Sequence, residues 1–137
     1  MTDMIENLIS LLREELTNYG EMLALFDQQQ AYVMDRSTDD LLQSVIAIQS
    51  QSEVTQKTRR QREGVQRKLA AELGTAAEPD FDKIIPRLPN DYRPLVGALV
   101  DENNNLLTRV QQRARQNHTL LSRSVELMQD FMNDLFP

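Results

Sequence analysis

Residues 5–33, IENLISLLREELTNYGEMLALFDQQQAYV, carry the repeat that decides the fold. One apolar residue recurs at every seventh position and a second set lies between, as at the a and d positions of a coiled coil. The repeat consists of Ile5, Leu12, Tyr19, Phe26 and Val33, with Leu8, Leu16 and Leu23 between them. Gly20 costs about 1 kcal/mol relative to alanine in a helix interior, but the repeat continues on both sides of it. The segment therefore predicts one long helix over residues 2–35.

The polar stretch 35–40 predicts a tight reversal of the chain. Ser37 or Thr38 can cap a following helix, and two aspartates after them suit the positive end of its dipole. A second helix is predicted over residues 38–73, ending before Gly74, because glycine readily adopts the left-handed conformation that follows many helices.

The seam of the second helix is apolar at both ends and polar in the middle. It reads Leu41, Val45, Ile48, Ser52, Thr55, Arg59, Arg62, Gln66, Leu69 and Leu73. In an antiparallel hairpin, Arg62 would lie close to Glu14 and Glu15 of the first helix. Because partly exposed ion pairs contribute only about 0 to 1 kcal/mol each, we expect a weak seam that needs a third helix.

Three prolines after the second helix interrupt the helical pattern. They enclose a short apolar piece that we predict as a helical connector over residues 80–86. The final helix is predicted over residues 91–135, with Asp91 as its N-cap and Pro94 in its first turn. The expected fold is all-α: an elongated antiparallel bundle of three long helices, with a short helical connector between the second and third, as one domain over residues 1–137.

The end of the final helix carries more apolar surface than one antiparallel neighbour can cover. It contains Leu120, Leu121, Val125, Leu127, Met128, Phe131, Met132, Leu135 and Phe136. At 1.5 Å per residue, the second helix is about 54 Å long and the final helix about 67 Å. If both begin at the same end of the bundle, residues 127–135 protrude. The stripe therefore predicts a docking surface; the alternatives are core packing against the first two helices and self-association.

Composition argues against several classes of function. A net charge of −6, an aromatic content of 5% and the absence of tryptophan disfavour nucleic acid as a partner. The chain has no cysteine for a disulfide or a thiolate metal site, as is common in the reducing cytoplasm. The acidic start of the sequence predicts no secretory signal, and no apolar run approaches the roughly 18 residues of a membrane span. We expect a cytoplasmic protein that does not insert into membranes.

No catalytic, metal or cofactor site is predicted. His118 is the only histidine, and no glutamate precedes it by three residues as in di-iron helical bundles. The acidic residues of the first two helices have ordinary roles as caps and surface residues. No nucleophile and base form a recognisable pair, so the chain is predicted not to be an enzyme.

Two polar features are open to two interpretations each. The basic stretch 57–68 is either a solvated helix face paired with the first helix or a phosphate-binding surface. Asn103 falls on the seam of the final helix, where it either fixes register, as buried polar residues do in coiled coils, or faces water at a gap.

Four elements of the chain form a family pattern. They are the acidic heptad first helix, the turn and cap at Asp35 to Leu41, the proline-broken connector ending Arg87-Leu-Pro89, and Gln116-Asn-His-Thr-Leu-Leu121 before the amphipathic end. Over nearly the whole chain, this pattern resembles the FlgN-like flagellar export chaperones. Members form elongated helical bundles in the cytoplasm. They hold the hook-associated proteins of the hook-filament junction and present them to the flagellar type III secretion apparatus.

The resemblance implies a client-binding region at the C-terminus. Asn117, Leu120 and Leu121 match the marked element of the family, and the helix beyond them would contact the client. The residues of that helix are Val125, Leu127, Met128, Phe131, Met132 and Leu135. Expected partners are the C-terminal helices of hook-associated proteins, with the export apparatus as a further candidate. The Gln- and Arg-rich middle of the second helix departs from the family's more acidic pattern. The alternative is a structural coiled-coil protein whose stripe closes a homodimer.

Overall fold

The computed structural model describes residues 1–135, apart from the side chain of Met128. Three long helices, α1 (Thr2–Asp35), α2 (Thr38–Glu72) and α4 (Arg93–Leu135), account for most of the chain. Between α2 and α4 lie the short helix α3 (Phe81–Ile84) and a 3-10 turn (Ile85–Arg87). No strand occurs within the described residues. The predicted all-α fold with three long helices and a helical connector is therefore confirmed.

Left-handed residues end both helices of the hairpin. Gly74 follows α2 with φ 78°, as predicted, whereas Arg36 takes this conformation after α1 with φ 56°. At each end, backbone N–H groups beyond the helix donate to carbonyls of its last turn, two after α1 and three after α2. The hydroxyl of Ser37 then donates to Asp40 Oδ2 at 2.6 Å. The chain therefore reverses between α1 and α2 with only two residues outside the helices.

The final helix begins later than predicted. The N–H of Tyr92 donates to the carbonyl of Pro89, which keeps this segment in a turn, and the Tyr92 carbonyl accepts the first helical bond, from Val96. Asp91 is therefore not the N-cap, and that prediction was wrong. Pro94 lies in the first turn of α4, where its missing N–H leaves no helical bond unmade.

The central helix of the bundle is α1, against which α2 and α4 both pack. Asn103 Nδ2 donates to the Leu12 carbonyl at 3.0 Å, and Asn117 Nδ2 donates to the Phe26 carbonyl at 2.8 Å. Both pairs are 91 positions apart in the chain, so α4 runs parallel to α1 in a constant register. The backbones of α2 and α4 hardly approach each other within the described residues, but side chains of both helices belong to one apolar core.

The larger apolar core lies where the connector crosses the bundle, which we call the closed end. It joins the start of α1, the end of α2, the connector and the start of α4. Its buried members are Ile5, Leu8, Ile9, Leu12, Leu69, Ala70, Ile84, Leu88, Val96 and Leu99. A second, smaller cluster, built on Tyr19, Met22 and Val110, lies further along α1. Most apolar burial is thus concentrated at one end of an elongated molecule.

The polar middle of the α1–α2 hairpin is held by a buried ion pair. Arg62 Nε and Nη2 donate to the Glu15 carboxylate at 3.0–3.1 Å, and Arg62 Nη1 donates to Gln66 Oε1 at 2.7 Å. The Gln66 amide donates in turn to the carbonyl of Pro79 in the connector. The predicted approach of Arg62 to Glu15 is confirmed, but Glu15 is only 1% exposed. The pair is therefore buried rather than partly exposed, and it ties the hairpin to the connector.

Candidate functional site

The last turns of α4 extend beyond the end of α1. In the register set by the two asparagines, Asp35, the last residue of α1, lies level with Glu126. Helix α4 continues to Leu135, which adds about 13 Å at 1.5 Å per residue. The face of α4 that packs on α1 therefore continues over residues 127–135, where α1 is no longer present.

Apolar side chains on this extension are exposed. Val125 and Met132 are each 55% exposed, Leu135 56%, Phe131 62% and Leu127 64%. We call these five residues the distal stripe. The sequence-based prediction that this surface protrudes is confirmed for these side chains. The predicted Met128 side chain and Phe136 lie outside the described part of the chain.

The predicted residues nearest the bundle lie in a different environment. Leu120 and Leu121 are half-buried. Asn117 is 1% exposed, and its Nδ2 also donates to Gln29 Oε1 at 3.0 Å. It was predicted as part of the client-binding surface, but its amide is sealed in the α1–α4 interface. Asn117 therefore anchors α4 on α1 next to the distal stripe rather than presenting itself to a partner.

Asn103 occupies the equivalent place two heptads earlier. It is 5% exposed, and its Nδ2 donates both to Leu12 of α1 and to the Leu99 carbonyl of α4. Of its two interpretations, the one in which Asn103 fixes register is correct. Because an amide that bonds a main-chain carbonyl tolerates only one alignment of the two helices, Asn103 and Asn117 together determine where the distal stripe begins.

A groove separates the end of α4 from the hairpin turn. It has a volume of about 460 Å³. Leu127 and Phe131 of α4 line one side, and Tyr32, Val33 and Leu41 line the other. Sequence reasoning did not place these three hairpin residues at the site. The available signal was an excess of apolar residues at the start of α2, which one seam cannot accommodate.

Several apolar residues at the start of α2 are exposed instead of buried in the seam with α1. Val45 was predicted in the seam, but it is 46% exposed, and the smaller Ser44 is buried instead. The Ser44 hydroxyl donates to the Leu41 carbonyl at 2.6 Å, which satisfies it inside the interface. Leu42 and Ile46 are also exposed, at 60% and 67%. The first turns of α2 therefore present an apolar surface beside the groove.

The groove is surrounded by acidic residues, although its own lining includes the basic Arg36. We call residues 30–46 and 118–135 the open end; they contain six carboxylates and two guanidinium groups. The acidic residues are Asp35, Asp39, Asp40, Glu126, Asp130 and Asp134, and the basic ones are Arg36 and Arg123. All are exposed, and none forms an ion pair within the described residues. This end therefore has a net charge of −4 around an apolar groove.

One of three comparisons with known proteins found a match. A family model described as FlgN protein matches residues 1–137, the whole chain. The chain belongs to the FlgN family. This is a family of flagellar export chaperones and not of enzymes. Comparisons with curated proteins and with solved structures found no match.

A second cavity of this FlgN-family protein, of about 340 Å³, lies in its polar middle. Both arginines that line it are paired with glutamates: Arg62 with Glu15, and Arg59, whose Nε lies 3.1 Å from Glu63. The pKa of Tyr19 in the cavity wall is raised, mainly by burial and to a lesser extent by the nearby Glu15 carboxylate, so the phenol stays neutral. The arginines of the basic stretch that line this cavity are thus engaged by glutamates, which favours the ion-pair interpretation.

Within residues 1–135 of the FlgN-family protein, no group of three or more His, Cys, Asp or Glu side chains is arranged to hold a metal ion. His118 is exposed on α4. None of the described helices combines the length and apolar character needed to cross a membrane.

Proposed function

We propose that this chaperone holds hook-associated proteins of the hook-filament junction in the cytoplasm, unassembled and competent for export, through the distal stripe of α4. The observation that carries the proposal is the continuation of the α1-facing surface of α4 past the end of α1. Earlier in α4 the apolar side chains of this face pack on α1, whereas those of Leu127, Phe131 and Leu135 lie beyond the end of α1 and are exposed. Family membership supports a flagellar protein as the partner.

The stripe has enough apolar surface for specific binding. Full burial of a leucine, phenylalanine or methionine side chain contributes about 1.5–3 kcal/mol. Association and ordering entropy offset much of the sum, so micromolar to nanomolar affinity is expected. Met132 adds a flexible thioether side chain that adapts to the shape of a partner.

The arrangement of α4 lowers the cost of binding. Asn117 bonds α4 to Phe26 and Gln29 of α1 immediately before the distal stripe. A helix already ordered before binding loses less conformational entropy than a disordered segment. The stripe would thus offer a preformed surface for an amphipathic helix of the client and cover the residues through which that helix assembles.

Binding of purified hook-associated proteins from the same flagellar system tests the proposal. Truncation after Ser124 removes the distal stripe, and Phe131→Asp places a charge in its centre. Phe131→Asp should weaken binding about 30-fold or more, as for a central interface residue, with helicity by circular dichroism retained. Asn133→Asp, an exposed substitution on the polar face of the same helix, is the matched control and should bind normally.

Two results would count against the proposal. Unchanged client binding by the truncated chain would remove the distal stripe from the site. Light scattering that shows a stable dimer, dissociated by Phe131→Asp, in a chain that binds no hook-associated protein would favour the structural homodimer instead.

A further inference from the structure

We infer that the docking site has two walls and that its occupant is an amphipathic helix with lysines or arginines beside its apolar stripe. One wall is the distal stripe of α4. The second wall is the hairpin turn with the first turns of α2. This inference rests on the proposed function and adds to it a second set of contact residues and the charge of the partner segment.

The two walls face each other across the groove at the open end. Leu127 and Phe131 of α4 line one side, and Tyr32 and Leu41 line the other. A volume of about 460 Å³ lies within the range of specific binding pockets and admits several apolar side chains. Because a docking helix inserts residues spaced three or four apart into such a groove, it would contact both walls at once.

The second wall continues along α2 beyond the groove. Val45 lies one helical turn after Leu41, and Leu42 and Ile46 form an adjacent pair with the same spacing. Leu42, Val45 and Ile46 are between 46% and 67% exposed, so the folded chain leaves these side chains largely in contact with water. Since the backbones of α2 and α4 hardly approach each other within the described residues, the groove between them at the open end stays accessible to the side chains of a fourth helix.

The acidic residues of the open end favour a partner helix with basic residues. The six unpaired carboxylates of the open end exceed its two guanidinium groups, and Glu126, Asp130 and Asp134 are spaced four residues apart on one face of α4. A second copy of this chain would bring its own acidic open end against the first, and like charges oppose such contact. A helix with basic flanks instead pairs with these carboxylates, which also accelerates its association.

Two designed peptides test the charge of the occupant. Each has about 20 residues and the same leucine stripe; one carries lysines and the other glutamates beside the stripe. The lysine peptide should bind the full chain about tenfold tighter by fluorescence anisotropy, and the difference should shrink in about 0.5 M salt, which screens charges. It should also shrink in the double variant D130K/D134K. Equal affinities of the two peptides at low salt would overturn the inference.

Variants of α2 test the second wall. Val45→Asp should weaken binding of the purified hook-associated protein about tenfold, whereas Gln43→Asp, exposed on the opposite face of the same turn, should not. Leu41→Ala provides a second variant without added charge, and thermal melting verifies that each is folded. If Phe131→Asp abolishes binding while Val45→Asp and Leu41→Ala leave it unchanged, the second wall is wrong and the proposed function stands. If all three bind normally, the proposed function fails.

Discussion

The two ends of the bundle use the same kind of residue with opposite outcomes. At the closed end, Ile5, Leu8 and Val96 are completely buried. At the open end, Leu127 and Phe131 are more than 60% exposed, although they continue the apolar face of α4, the helix that contains Val96. The difference lies in the connections: α2 and α4 are joined by a long connector that crosses the bundle, whereas α1 and α2 are joined by two residues.

This contrast separates stability from availability for binding. Hydrophobic stabilisation is proportional to the area removed from water, so the closed end supplies most of it. The open end contributes little to folding, and its apolar residues remain accessible to a partner. Substitutions at the two ends should therefore affect different measurements.

The largest effect is expected from Leu8→Ala at the closed end. Removing a fully buried leucine side chain leaves a cavity and should lower the free energy of unfolding by about 4 kcal/mol. Leu127→Ala makes the same chemical change on an exposed side chain and should alter it by no more than about 0.5 kcal/mol. Urea denaturation measures both, and similar values for the two variants would contradict the contrast between the ends.

Glu15→Ala should have the next largest effect. It leaves Arg62, whose side chain is 15% exposed, without its carboxylate, and breaking a buried pair in this way should cost about 3 kcal/mol. Glu14→Ala removes the neighbouring exposed carboxylate and should change stability by less than about 0.5 kcal/mol. A small loss for Glu15→Ala by urea denaturation would mean that the polar middle does not link the hairpin to the closed end.

Asn117→Ala tests how the open end is anchored. It removes two hydrogen bonds and leaves Gln29 Oε1 without its donor, so a loss of about 2 kcal/mol is expected. Limited proteolysis should then cut α4 after this residue faster than in the parent chain. Asn104→Ala, on the exposed side of the same helix, should change neither measurement appreciably. Equal proteolysis of the two variants would argue that α4 needs no such anchor.

Arg36→Gly should give the smallest change, and it should stabilise. Arg36 has φ 56°, a conformation that a residue with a Cβ adopts at a cost and glycine adopts freely. The melting temperature should rise, corresponding to a gain of about 1 kcal/mol. Met34→Gly, within the last turn of α1, should instead cost about 1 kcal/mol. A lower melting temperature for Arg36→Gly would show that the guanidinium group stabilises the turn more than the strain destabilises it.

Much of the fold could be predicted from the heptad pattern and from residues with strong conformational preferences. The repeat from Ile5 to Val33 indicated α1, the prolines indicated the connector, and Gly74 indicated the end of α2. The excess length of the final helix indicated an exposed stripe. These features depend on periodicity and backbone preference, which are properties of short segments.

The sequence by itself therefore determined the helices, their approximate lengths and the surplus of apolar surface at the end of α4. Only the tertiary structure decided which faces meet. It buried Asn117 rather than exposing it, packed α4 along α1 in a parallel register, and brought Leu41 and Tyr32 to the groove. The physical reason is that a helical repeat states which side of a helix is apolar, whereas the neighbour that covers it depends on hydrogen bonds and packing between residues far apart in the chain.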